Sequence, residues 1–247
     1  MSWSVQRRDS VAVVTLTRPP ENLLGFALLS ELDVLLGGLS ADKEVSVVVL
    51  TGGVPGYFVG HADIGDVRSL MAGEPGAGIP DHWALATERL SAIDQPVIAA
   101  VNGQAWGGGC ELALAAQMRV ASEDAHFRLI EVSRGAIPGA GGTQRLPRLV
   151  GLSRASRMIF SGEVVPAAEA LDMGLVDAVF PAEGFLDSVL DWVQPIARQP
   201  RHSLAAAKRA VVDGLRIPLG DGLAYEQRLF RSVMHSPESR ALRPEHD

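Results

Sequence analysis

Two hydrophobic periods alternate along the chain. Val11 to Leu16 (VAVVTL) and Val45 to Leu50 are short, nearly continuous apolar runs, the second closed by Thr51-Gly52-Gly53, and both predict buried strands. Between them, Phe26 to Leu39 carries apolar residues at spacings of three and four, with Gly37 and Gly38 near its end, which predicts a helix. Residues 73 to 80, GEPGAGIP, predict a mobile or lid-like loop before a helix over Trp83 to Ile93. Pro96 to Val101 predicts another strand that ends in a glycine loop leading to a helix. Met118 to Ala121 and His126 to Leu129 follow as short strands, and glycines 135, 139, 141 and 142 mark a long turn before a helix over Ser153 to Phe160. A short helix over Ala167 to Met173, stopped at Gly174, precedes a strand over Leu175 to Phe180. From Phe185 to about Met234 the period is helical. Strands alternating with helices predict an α/β core, and the strandless C-terminal part predicts a helical region docked on something.

Composition narrows the class. The chain has 247 residues, 47% of them hydrophobic, a mean hydropathy of +0.16, and no apolar run long enough to span a bilayer. The opening MSWSVQRRDS is charged and lacks the apolar segment and cleavage site of a secretory signal, so a cytoplasmic location is expected. A formal charge of -7 gives no electrostatic footprint for nucleic acid, and the single cysteine, Cys110, leaves no internal disulfide framework. No spacing of His and Cys resembles a metal site.

Chemistry concentrates in AWGGGCELALAA, residues 105 to 116. A helix starting within Gly107 to Gly109 leaves its first N–H groups unpaired, and its positive end suits a developing negative charge. Glycine lets a ligand approach that backbone closely. A thioester carbonyl becoming an enolate would be stabilised there, and Glu111 falls in the first turn beside it. The same glycines also suit close helix–sheet packing, with Glu111 merely complementing the dipole. Glu131 stands 20 residues later in IEVSRG, so local spacing cannot bring the two carboxyls together; folding must. If they meet, one can activate water while the other delivers a proton. Otherwise Glu131 is a solvated loop acid.

Residues 96 to 151, PVIAAVNGQAWGGGCELALAAQMRVASEDAHFRLIEVSRGAIPGAGGTQRLPRLVG, resemble the core signature of the crotonase superfamily, closest to its enoyl-CoA hydratase branch. The likeness extends through VVVLTGG, FVGHADI and AAEALDMGLVDAVFP, covering roughly residues 10 to 182. It implies a spiral of ββα repeats over residues 1–190 and a helical oligomerisation region over 191–247, assembled as a homotrimer or hexamer. It implies Glu111 and Glu131 as the catalytic acids and the amides of Ala62 and Gly108 as the oxyanion hole. Ala62, Asp63, Ile64, Gly65, Gly108 and Gly139 would line the substrate. The expected reaction is reversible hydration of a 2-trans-enoyl-CoA, with no cofactor, since coenzyme A belongs to the substrate, and with no metal, nucleic acid or membrane partner. Isomerisation, thioester hydrolysis, decarboxylation or a non-catalytic acyl-CoA-binding role are the alternatives.

The sequence departs from the family pattern at His61, where a glycine is usual, at Gly65, where a basic residue is frequent, and in TRPPENLLG. It ends in HSPESRALRPEHD, which suggests a shortened final helix and leaves open whether Arg243 and its neighbours are ordered. Asp63 also suits a plain helix N-cap. A dinucleotide-binding reading fails because GAIPGAGGTQ lacks the strand-first order of that fingerprint. Cys110 suits a small buried filler better than a nucleophile.

Overall fold

The computed structural model describes residues 2–73 and 81–242. The loop expectation for GEPGAGIP and the expectation for Arg243 lie outside the described residues, apart from Gly73. In chain order the elements are β1 (Trp3–Arg8), β2 (Val11–Leu16), α1 (Phe26–Ala41), β3 (Val47–Gly52), β4 (Gly56–Val59), α2 (Ile64–Met71) and α3 (Asp81–Ala92). There follow β5 (Val97–Val101), β6 (Gly103–Trp106), α4 (Gly108–Ala115), β7 (Met118–Ser122), β8 (His126–Arg128), α5 (Gly142–Val150) and α6 (Leu152–Ser161). The chain continues through β9 (Val165–Pro166), α7 (Ala167–Asp172), β10 (Ala178–Phe180), α8 (Phe185–Ala197), α9 (Arg201–Gly214), α10 (Leu219–Met234) and α11 (Pro237–Ala241).

Two sheets organise these elements. The larger runs β1-β2-β3-β5-β7-β10 and the smaller β4-β6-β8-β9. Each turn of the spiral lays one strand in the large sheet, then one in the small sheet, then a helix: β3-β4-α2-α3, β5-β6-α4 and β7-β8-α5. Apart from the antiparallel β1–β2 and β8–β9 pairs, the strand pairs are parallel. Parallel pairing requires helical crossovers, so both faces of the large sheet become buried, which explains its continuous apolar strands. Side chains alternate accordingly. Val14, Val48, Leu50 and Ala99 point into the main core with Leu29, Leu32 and Leu36 of α1, while Val11, Val13, Val47, Val49 and Ile98 meet α8 through Phe185, Val189 and Val193.

The structure corrects or adds to the sequence reading at three places. The stretch after Val101 is not only a glycine loop: residues 103–106 form β6, paired with β4 and β8, because Gly103 packs against the backbone of Gly56 where no Cβ would fit. The charged opening forms β1, paired with β2 over six residues. Only Trp3 is buried and the rest of the strand, Val5 included, is exposed, so β1 carries no alternating apolar signal. The long glycine turn contains a one-turn 3₁₀ helix over Glu131–Arg134 and then the whole of α5, whose first residue is Gly142.

Helix α9 is fastened back on the spiral. Arg201 donates to the carbonyls of Ser40 and Val45, Arg209 pairs with Asp94, and the buried Lys208 donates to the carbonyls of Leu90 (3.0 Å) and Gln95 (2.8 Å). No described helix is long and apolar enough to cross a membrane.

Candidate active site

The site begins where β6 ends. Gly107 has φ 51° and ψ -122°, a conformation open only to glycine, and this turn lets α4 start at Gly108 directly behind the strand. Its N–H is taken by the Arg128 carbonyl at 2.8 Å, and its carbonyl accepts the Glu111 N–H at 2.9 Å. The next N–H groups, from Gly108 on, stand at the head of the helix without intrahelical acceptors. A Cβ at Gly108 would strike the ring of Trp83, so α3 roofs this turn with an indole.

The segment after β4 lies alongside. The Val59 carbonyl approaches Gly109 so closely that a Cβ there would stand 2.1 Å from it, and Gln104 donates to the Gly60 carbonyl. Ala62 forms a bridge with Leu24, in which Leu24 bonds the His61 carbonyl and the Asp63 N–H. In such a pairing the N–H and C=O of Ala62 point the other way. Its carbonyl meets Nδ1 of His61 at 2.7 Å; its N–H has no acceptor among the described residues. Asp63 caps α2 by accepting from Gly65 N and Asp66 N and forms an ion pair with Arg18 at 2.8 Å, so its carboxylate is committed to structure. Arg18 comes from the TRPPENLLG loop and also donates to the Leu23 carbonyl. Ile64 is exposed, and Gly139 lies exposed on the loop that leads to α5.

The two glutamates converge. Glu111 is 3% exposed, and its Oε1 accepts from Ala140 N at 2.7 Å and Gly142 N at 2.8 Å, across the glycine-rich loop. Burial pushes its carboxyl up to about 7; the two N–H donors and the charge of Arg145 oppose that rise, and the Glu131 charge adds to it. Glu131 opens the 3₁₀ turn. Its Oε1 would lie 2.9 Å from a Cβ on Gly107, and its sealed Oε2 has no hydrogen-bond partner among the described residues. Burial raises its carboxyl as well. Two acids that each feel the low-dielectric pocket, one of them with an orphaned oxygen beside the buried head of α4, form an arrangement suited to paired proton transfer. Cys110, fully buried and next to Glu111 in the chain, is held as a thiol by burial and by both glutamate charges, which argues against a nucleophilic role.

Sequence reasoning named Glu111 and Glu131 but missed the groups that hold them in this geometry. The N–H groups of Ala140 and Gly142 fix Glu111, Arg145 backs that loop by donating to the Ala140 carbonyl at 2.7 Å, and Trp83 covers Gly108. The cluster Gly139, Gly141 and Gly142 was the available signal for the first two. For Trp83 the sequence held no signal beyond an aromatic residue in an amphipathic helix.

Comparison with known proteins agrees with this architecture. Residues 6–243 match the family model described as enoyl-CoA hydratase/isomerase. The chain is 42% identical over 238 residues to the 2,3-dehydroadipyl-CoA hydratase of Escherichia coli K12, covering 96% of this chain and 91% of that protein. It is 37% identical to the short-chain-enoyl-CoA hydratase of Clostridium acetobutylicum, covering 96% and 90%. The crystal structure of enoyl-CoA hydratase from Bacillus anthracis superposes with a TM-score of 0.89 at 34% identity, covering 96% of this chain and 92% of that one. With a family match over nearly its whole length and the fold to go with it, the chain belongs to the enoyl-CoA hydratase/isomerase family of the crotonase superfamily and is an enzyme of the hydro-lyase type.

Proposed function

We propose that this enzyme reversibly adds water to a 2-trans-enoyl-CoA thioester. The observation that carries the proposal is the pairing of Glu111 and Glu131 at the head of α4, with Oε2 of Glu131 unpartnered and Oε1 of Glu111 held by two amides. In the hydration direction Glu111, which titrates near neutrality, accepts a proton from water as the oxygen bonds to C3. The C2–C3 π electrons shift toward the thioester, and the resulting enolate oxygen rests on the N–H groups of Ala62 and Gly108. Glu131, whose burial favours the protonated form, delivers its proton to C2. The two acids titrate as a pair, so the pH profile reports the pair and not either residue alone. Coenzyme A enters as the handle of the substrate, Asp63, Ile64, Gly65 and Gly139 border its path, and the reaction needs no metal or further cofactor.

The names of two relatives set the acyl groups to try: a short 2-enoyl chain and one that ends in a second carboxylate. The test follows loss of the conjugated thioester absorbance with crotonyl-CoA, a longer 2-enoyl-CoA and 2,3-dehydroadipyl-CoA. Wild type is expected to hydrate at least one of them, and Glu111→Gln and Glu131→Gln each to lose roughly two to four orders of magnitude in kcat. An inactive wild type that still binds acyl-CoA overturns hydration in favour of another reaction of the superfamily.

We also propose self-association as a trimer or hexamer through the C-terminal helices. Leu215 (83% exposed), Leu219 (77%), Leu223 and Phe230 present apolar surface on α9 and α10 and the turn between them, more than a monomer ordinarily leaves in water. Light scattering after size exclusion should give three or six times the chain mass; a monomer at micromolar concentration refutes it.

A further inference from the structure

Glu111 does not hold itself in place. Its Oε1 hangs on the N–H groups of Ala140 and Gly142, which belong to the first and third of three successive peptide units. The carbonyl of the middle unit, that of Ala140, accepts from the guanidinium of Arg145 at 2.7 Å, and the Arg145 N–H closes the same turn on the Gly141 carbonyl at 2.7 Å. Gly141 sits at φ 107°, and a Cβ there would lie 2.0 Å from the guanidinium, so the loop is shaped to admit this arginine. Arg145 is half-buried and forms no ion pair within 4 Å among the described residues, in contrast to Arg18, Arg89, Arg157, Arg209 and Arg216. Lys208 is likewise a cation spent on carbonyls and acts as a structural fastener; what singles out Arg145 is that the peptide it holds lies between the two amides that fix Glu111.

We propose that Arg145 is a positioning residue of the hydration reaction: it pins the Ala140–Gly141 peptide so that the flanking amides hold Glu111 in one orientation, and its positive charge favours the carboxylate form of that side chain. The proposal rests on the hydration reading for its kinetic part only. Glu111 is faced by Glu131 from the 3₁₀ turn, by Cys110 from its own helix and by Arg145 from α5. Arg145 in turn is faced by Glu88 of α3 and by Arg216 beyond the end of α9, which are paired with each other at 2.7 Å and so offset one another at the guanidinium. Of these groups only Arg145 pulls the Glu111 carboxyl downward, so its removal has a defined sign: the Glu111 titration moves to higher pH.

The experiment compares wild type, Arg145→Gln and Arg145→Lys in the full chain. Carboxyl carbon resonances of ¹³C-glutamate-labelled protein are titrated, with the Glu111 signal assigned by its absence in Glu111→Gln. The same variants are assayed for kcat, KM and the pH profile of kcat/KM. Arg145→Gln is expected to raise the Glu111 midpoint and the ascending limb of kcat/KM together and to lower kcat about 10- to 100-fold, as expected for a displaced catalytic group, while KM changes less than threefold. Arg145→Lys, which keeps the charge but not the planar fork, should return the midpoint close to wild type and recover only part of kcat. An unmoved Glu111 midpoint in Arg145→Gln, with or without a drop in melting temperature, overturns the proposal and leaves Arg145 a plain loop staple. If Arg145→Gln does not fold, a Glu111 midpoint and kcat in Arg145→Lys both equal to wild type overturn the geometric half. If wild type hydrates no thioester, the hydration reading fails, and the carbon titration still decides whether Arg145 governs Glu111.

Discussion

Glu111 and Lys208 are both buried ionisable side chains without an ion pair among the described residues, and they differ in what surrounds the charge. At the head of α4, Glu111 is 3% exposed and its carboxyl is pushed up to about 7; at the joint between α9 and the end of α3, Lys208 is 6% exposed and burial pushes its ammonium down to about 7. Depth and shift alone therefore do not separate them. The difference lies in the polar company. Lys208 donates two hydrogen bonds to the carbonyls of Leu90 and Gln95, which close α3 and lead into β5, and the ammonium ends on main-chain acceptors. Glu111 accepts two amides on a single oxygen and shares its pocket with Glu131, whose Oε2 has no partner among the described residues. An unpartnered buried oxygen occurs at both places, Oε2 of Glu131 beside Glu111 and Oε1 of Gln95 beside Lys208, but only the carboxyl can take up or release a proton; the perturbed titration marks a working site where a second buried acid accompanies it and a structural joint where the company is main-chain carbonyls and an amide.

The sharpest way to break this comparison is to exchange the expected losses. Lys208→Met should leave kcat/KM within about threefold of wild type, because nothing on α9 reaches Glu111 or Glu131. It should also cost on the order of 2 kcal/mol in unfolding by denaturant, since two buried carbonyls lose their donor. Glu131→Gln should do the reverse, with a large loss of rate and little loss of stability. A Lys208→Met enzyme that loses rate as steeply as Glu131→Gln would show that the joint carries the reaction too, and the distinction drawn above would collapse.

The sequence revealed the two regions unequally for a physical reason. Glycine and carboxylate are conspicuous in an apolar run, so Gly107, Gly108 and Glu111 stood out, and the inner strands β2, β3 and β5 of the large sheet were plain because burial on both faces makes them nearly uniformly apolar. The convergence of Glu131 was not legible from spacing, because it depends on a parallel pairing of β6 with β8 that brings residues 106 and 128 side by side. The small-sheet strand β6 was hidden in a segment that read as a glycine loop, β4 is a four-residue strand that begins at a glycine and drew no assignment, and β1 was hidden by its charge. Lys208 gave no sign at all, since one lysine in RHSLAAAKRAVVDG looks like any solvated position of an amphipathic helix until α9 is seen docked on α3.

The smaller test concerns stability against pH, where the two regions should pull in opposite directions over adjoining windows. Glu111 has a folded-state pKa raised from 4.5 to about 7, so between those values the native chain holds a proton that the unfolded chain has released, and stability falls as pH rises through that window. Glu111→Gln removes the penalty while its side-chain oxygen can still accept from Ala140 and Gly142. It should therefore be more stable than wild type at pH 8 by up to about 3 kcal/mol and no more stable at pH 4.5. Lys208 has a folded-state pKa lowered from 10.5 to about 7, so above 7 the native chain sheds a proton that the unfolded chain keeps, and stability rises with pH until about 10.5. In Lys208→Met that rise should flatten, while in Glu111→Gln the fall below pH 7 should flatten and the rise above it remain. Urea midpoints across pH 4.5 to 10.5 for the three proteins measure both slopes. If Lys208→Met leaves the alkaline rise intact, its ammonium is not what the fold excludes, and the joint is held by Arg201 and Arg209 instead.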